Sequence, residues 1–171
     1  MLVRQATLED LDQMTALINA TTKKLIEKNV FQWAYPCELD SLETQIKSGE
    51  VFILEDHKRL IGSYSIKHVE ESFPVQIDKS LYMYRLLIHP FYQGKNLTQH
   101  MFKYLKKEYK KHPVLLDCWA GNEKLCDFYK ANDCMFLGDF PEADYKISVF
   151  QVGKRGNIVK DDKGFFKKFQ N

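Results

Sequence analysis

Apolar residues along this chain change their spacing from every second position to every third or fourth and back, and the changes mark out its elements. Leu2–Ala6 reads as a short strand. Thr7-Leu8-Glu9-Asp10 reads as a capping box, in which the Thr7 hydroxyl accepts a free N–H of the first turn and Asp10 reaches back. Leu11, Met14, Leu17, Ile18 and Leu25 then recur at helical spacing on one face. Asn29–Pro36 breaks that pattern with Phe31, Trp33 and Tyr35, and Glu38–Ser48 is a second, weaker helix that stops near Gly49. Val51–Leu54 and Leu60–Lys67 form a predicted hairpin around the polar turn Asp56–Arg59. The stretch from Glu70 to Lys79, with Pro74, is a loop. Leu81–Ile88 is a central strand, apolar and aromatic apart from Arg85, that ends at His89-Pro90. Lys95–Lys111 is a helix with Leu97, Met101 and Leu105 four apart, and Val114–Trp119 is the next strand. Gly121-Asn122 breaks that strand, and Asn122 caps a short helix through Ala131. Met135–Phe140 and Tyr145–Val152 are the last strong strands, separated by Pro141; after a turn at Gly153–Asn157, Ile158-Val159 is a candidate edge strand.

The predicted order is β α α β β β α β α β β. A strand–helix–strand crossover sets its two strands parallel. The expected fold class is therefore α/β, or α+β, with a mixed central β-sheet flanked by helices. At 171 residues the chain suits one compact domain, over residues 1–152, with a C-terminal extension over 153–171. That extension is basic and aromatic, with Lys154, Arg155, Lys160, Lys163, Lys167 and Lys168 beside Phe165, Phe166 and Phe169. It reads as a solvated or frayed end, or as a contact for a partner subunit, an acidic surface or phosphates.

Composition narrows the function classes. An apolar share of 44% and a charged share of 28% fit a globular core and argue against disorder. Lys plus Arg total 25 and Asp plus Glu 23, too even a balance for electrostatic capture of nucleic acid. No apolar run approaches the ~18 residues of a membrane span, so no membrane partner is expected. The N-terminus enters a strand-like run and then an acidic segment, unlike a signal peptide, and the expected location is the cytoplasm. Cys37, Cys118, Cys126 and Cys134 are separated by 81, 8 and 8 residues. They form no closely spaced pair, and with five scattered histidines they predict no metal site; reduced, mostly buried thiols are expected.

Chemistry concentrates in two segments. In His89-Pro90-Phe91-Tyr92-Gln93-Gly94-Lys95-Asn96-Leu97-Thr98 a strand stops at proline, passes through a polar loop with glycine, and enters a helix. Free N–H groups and the helix dipole at such a terminus accept a phosphate, and Lys95 adds charge. A plain strand-to-helix turn has the same form. In the second segment Asn122 and Tyr129 stand seven apart, two helical turns, on one face with Leu125 and Cys126 between them. They line a cleft, or else serve as a simple cap and a core aromatic.

Together these segments resemble the GNAT N-acetyltransferase superfamily, over roughly Leu2 to Val152. Tyr84-Arg85-Leu86-Leu87-Ile88-His89-Pro90 with Tyr92-Gln93-Gly94-Lys95 is similar to that family's central strand and pyrophosphate loop. The segment from Asn122 to Phe128-Tyr129 is similar to the helix carrying its cofactor-side Asn and general-acid Tyr. The resemblance implies an acetyl-CoA-dependent transfer to a primary amine, most simply that of a small molecule. It implies acetyl-CoA in a V-shaped opening where Leu81–Ile88 and Val114–Trp119 splay apart. Leu86, Leu87, Ile88, Gln93, Gly94, Lys95, Asn96, Leu97, Thr98 and Asn122 are then the coenzyme-binding residues, Tyr129 is the catalytic residue, and Trp33, Tyr35 and Tyr84 face the acceptor, unless Trp33 and Tyr35 serve core packing instead. A homodimer is the assembly to look for. The family loop is Gln/Arg-x-x-Gly-x-Gly/Ala; here Asn96 and Thr98 replace its two later small residues. Asn tolerates left-handed backbone angles, whereas Thr98 adds bulk near the phosphates.

Direct transfer needs an oxyanion donor, a neutral amine and a proton for the leaving thiolate. A backbone N–H at the end of Leu86–Ile88 serves as the first. Tyr129 serves as the last, and with reference values of ~10 for Tyr and ~8.5 for a thiol it is a hydrogen-bond donor more than a strong acid. No proton acceptor is assigned. Leu81–Ile88 holds no carboxylate, strand alternation leaves the direction of Asp117 open, and Glu70 and Glu71 sit on a loop. The alternative to an enzyme is a domain of the same fold that binds acyl-CoA or a protein partner as a sensor.

Overall fold

The computed structural model describes residues 1–153. Its elements are β1 (Leu2–Gln5), α1 (Leu11–Ile26), α2 (Leu39–Lys47), β2 (Val51–Asp56), β3 (Arg59–His68), β4 (Leu81–Ile88), α3 (Thr98–Glu108), β5 (Val114–Trp119), α4 (Glu123–Ala131), β6 (Cys134–Glu142) and β7 (Tyr145–Val152), with 3-10 turns at Leu8–Asp10 and Pro90–Tyr92. This is the predicted order. The strands make a mixed sheet of seven in the order β1-β2-β3-β4-β5-β7-β6. The β4–β5 pair is parallel, while β1–β2, β2–β3, β5–β7 and β6–β7 are antiparallel. The fold is thus α/β with a mixed sheet flanked by helices. The candidate strand Ile158-Val159 and the basic extension lie outside the described residues.

The chain divides into two compact units, Met1–Ile66 with Arg85–Met101, and Lys67–Tyr84 with the chain from Phe102. In the first unit the apolar stripe of α1 packs Met14, Leu17 and Ile18 with Leu42 and Ile46 of α2 and with Val51, Ile53 and Leu87 of the strands. Asp10 reaches back to the Thr7 backbone N–H at 2.8 Å as the capping box predicts. The Thr7 side chain faces the Asp10 backbone N–H, the other half of the predicted box, and its hydroxyl also donates to Asp10 Oδ2 at 3.2 Å. Arg4 binds both oxygens of that carboxylate, each at 2.8 Å. In the second unit Val75, Leu115, Ile147 and Val149 form the buried cluster, with Phe73, Ile77 and Phe140 packed against it.

Two boundaries depart from the pattern. The helix predicted from Lys95 begins at Thr98, because Asn96 takes a φ of +53° and holds Lys95–Leu97 out of the helix. Pro141 does not separate the last two strands; it lies inside β6, paired with Lys146. β6 is an edge strand, where a missing N–H costs no ladder bond. The chain turns instead at Ala143-Asp144, between the paired Glu142 and Tyr145.

Candidate active site

In the first unit, β4 ends in a short cascade of side-chain ties. The His89 ring Nδ1 accepts from the Phe91 N–H at 3.3 Å, and the Gln93 amide donates to the Ile88 carbonyl at 3.0 Å. Gly94 then takes a φ of +79° and Asn96 one of +53°, the left-handed region that glycine and asparagine tolerate. A Cβ placed on Gly94 would meet nothing within 4 Å, so the glycine serves the backbone angle and leaves open space beside it. Gly94, Lys95 and Asn96 are exposed, while Leu97 is buried and anchors the loop. The Gln99 and His100 N–H groups close the first turn of α3 onto Asn96 and Leu97. Lys95 Nζ stands 5.3 Å from the centre of the Tyr92 ring. Leu86 and Ile88 are half-buried, and Leu87 belongs to the core. Trp33 also packs on that core, whereas Tyr35 of the same link is 53% exposed.

The second unit holds the other candidates. β4 and β5 pair through Leu81–Val114 and Tyr82–Leu115. Partners in a pair share a face and alternate residues return to it, so Tyr82, Leu115 and Asp117 point the same way. The Tyr82 hydroxyl donates to Asp117 Oδ1 at 3.0 Å. Tyr84 stacks on Tyr82 at 5.8 Å, and Lys67 Nζ lies 5.5 Å over the Tyr84 ring. Burial pushes the Asp117 carboxyl above its usual range, the Tyr82 hydrogen bond draws it back down, and Glu142 adds an upward push. Burial, then the neighbouring Asp117 charge, holds the Tyr82 phenol protonated.

Asn122 caps α4 as predicted, its Oδ1 accepting the Leu125 N–H at 3.1 Å. It is exposed, whereas Tyr129 of the same helix is only 5% exposed, against Phe102, Phe128 and Phe150. Sharing a helix therefore does not give the two a common environment. Burial also drives the Tyr129 phenol strongly upward. Cys118 and Cys126 face each other as thiols at 3.5 Å, and Cys134 is buried as well. Among the described residues no group of three or more His, Cys, Asp or Glu is placed to hold a metal ion. No helix among them is long and apolar enough to cross a membrane.

Tyr82 and Asp117 form the pair that sequence reasoning does not bring together. The faces of both residues depend on the β4–β5 register, which no local spacing encodes. Tyr82 and Tyr84 stand two apart on one strand and so share a face, but nothing local sets Asp117 beside Tyr82.

The Acetyltransferase (GNAT) family matches residues 15–133, and the chain belongs to that family. No curated protein is significantly similar to it. Its fold is shared by solved structures of low identity. A ribosomal-protein-alanine N-acetyltransferase from Brucella melitensis is 18% identical, with 88% of this chain and 98% of that one covered and a TM-score of 0.68. A variant of the spermidine N-acetyltransferase SpeG from Vibrio cholerae is 18% identical, with 89% and 94% covered and a TM-score of 0.64. The protein yncA from Salmonella typhimurium with its cofactor acetyl-CoA is 16% identical, with 90% and 93% covered and a TM-score of 0.68.

Proposed function

We propose that this protein moves an acetyl group from acetyl-CoA to the primary amine of a small molecule by direct transfer. The observation that carries the reading is the turn into α3, where Gly94 at φ +79° and Asn96 at φ +53° set exposed backbone ahead of a helix start. N–H groups and the helix dipole there suit a diphosphate, which fits the coenzyme seen with yncA. Gln93, Gly94, Lys95, Asn96, Leu97 and Thr98 are the proposed diphosphate-binding residues, with Asn122 as a further coenzyme contact.

Acetyl-CoA supplies an activated thioester. The backbone N–H groups of Leu86–Ile88 stabilise the charge that develops on its carbonyl oxygen. The acceptor arrives as an ammonium and must lose a proton to expose a lone pair; Asp117, half-buried and pushed above the usual carboxylate range by burial, receives it. The new C–N bond forms, the C–S bond breaks, and the thiolate takes a proton from the Tyr129 hydroxyl. The amine gives up two protons in all: the first leaves Asp117 for solvent, and the second restores the Tyr129 hydroxyl. Trp33, Tyr35 and Tyr84 are the proposed acceptor-facing aromatics. The proposed setting is the cytoplasm.

A second reading, a coenzyme-binding sensor, draws on the burial of Tyr129, which makes its phenol a poor acid. Thiol release from acetyl-CoA tests both, with spermidine, a free amino acid and an alanyl peptide as acceptors. Release with a small amine is expected, falling by no more than ~100-fold in Tyr129→Phe, the low end for assisted proton transfer. Release with the peptide alone contradicts the small-molecule reading, and coenzyme binding without release selects the sensor.

A further inference from the structure

Tyr82 has no part in the reaction as written, yet its hydroxyl is aimed at Asp117 by a ring held on both sides. Phe73 packs on its ring at 4.9 Å and Tyr84 stacks on it at 5.8 Å with an interplanar angle of 13°. The Tyr82–Leu115 pairing fixes the backbone beneath it. Ring and backbone are thus both held, and the phenol oxygen is left 3.0 Å from Asp117 Oδ1. An aromatic needed only for packing has no use for that hydroxyl, since phenylalanine fills the same space.

We infer that Tyr82 is a positioning residue whose clamped hydroxyl holds the Asp117 carboxylate in place and ionised, with lone pairs left to receive the acceptor's proton. This rests on the reading of Asp117 as the proton acceptor. The titratable groups that act on Asp117 are Tyr82 from β4 and Glu142 from β6 on its own face of the sheet, with Tyr129 of α4, which packs on Phe150 of the opposite face, and Cys118 beside it on β5. Glu142 and burial favour the neutral acid. Of the facing groups Tyr82 favours the carboxylate, helped by Asp117's own backbone N–H. The hydrogen bond therefore works against burial and Glu142, and keeps the group a base before the amine arrives.

The test is a carbon-13 titration of the Asp117 side-chain carboxyl in the ligand-free, full-length protein, assigned with Asp117→Asn. It is paired with the pH dependence of kcat/KM using spermidine as the probe amine. Tyr82→Phe keeps the ring and deletes the donor. The Asp117 midpoint is expected to rise by about one pH unit, the effect of losing one charge-assisted hydrogen bond, and the acid limb of kcat/KM to move up with it. Replacing Tyr82 by 3-fluorotyrosine, a stronger donor of nearly the same shape, is expected to move both downward. Midpoints unchanged in both variants overturn the inference, as does a fall in Tyr82→Phe. Full turnover in Asp117→Asn overturns the underlying reading and the inference with it. If Asp117→Asn loses turnover while neither Tyr82 variant moves the midpoint, the inference fails alone.

Discussion

Arg4 binds two carboxylates at once, Asp10 through two bonds of 2.8 Å and Glu55 at 2.9 Å. Asp10 is 5% exposed and also takes the Thr7 backbone N–H, so its charge is stabilised from two sides. The Arg4 guanidinium, then the Thr7 N–H, hold its carboxyl below the usual carboxylate range. A depressed folded value means that the stabilisation is complete above the unfolded value of ~3.9 and is lost as pH falls through that value toward the folded one. Urea unfolding from pH 7 to pH 3 is expected to show a steeper loss of stability in the native protein than in Asp10→Asn. Arg4→Met is expected to cost about 2 kcal/mol at pH 7, a figure that allows for the partial exposure of Arg4. Equal pH slopes in the native protein and Asp10→Asn would contradict this. The reach-back of Asp10 is legible in the sequence because its partner is three residues away. The Glu55 bond is not, because it spans 51 positions and needs the β1–β2 register. Asp117 is hidden for the same reason, while the left-handed angle of Asn96 is one that an asparagine side chain tolerates.

Elements ended by local chemistry are found at their expected limits. β4 stops where His89-Pro90 forbids another strand residue, and α4 starts where Asn122 accepts the Leu125 N–H. Elements ended by their neighbours are not: β6 runs through Pro141 because it lies on the sheet edge, a place assigned only by the whole strand order. Gly62 on β3 shows a constraint of the same origin. A Cβ there would stand 2.6 Å from Met101 Cε, 2.7 Å from Ile88 Cδ1 and 2.8 Å from the Leu87 carbonyl oxygen. The two side-chain ends are flexible, but the carbonyl belongs to the backbone of β4 and is not. Gly62→Ala is expected to destabilise by about 1–3 kcal/mol, the cost of overpacking a core. Chemical unfolding checks it, and a stability equal to the native protein would show that β3 and β4 separate freely.

Element order is legible across the chain because each change of apolar period is local, and the family match covers residues 15–133 of it. The candidate residues are dispersed: the Gln93–Thr98 turn, Leu86–Ile88, Trp33 and Tyr35 belong to one compact unit, and Tyr84, Asp117, Asn122 and Tyr129 to the other. Their linkage to one activity therefore comes from chemistry, and the coenzyme is the reagent that tests it. Calorimetric titration of acetyl-CoA into the full-length chain, with the melting temperature followed in parallel, is the most direct measurement. A saturable one-site heat is predicted, with a stabilisation of about 2.7 kcal/mol once the coenzyme reaches one hundred times its Kd. No heat and no change in melting temperature at millimolar acetyl-CoA would contradict the account.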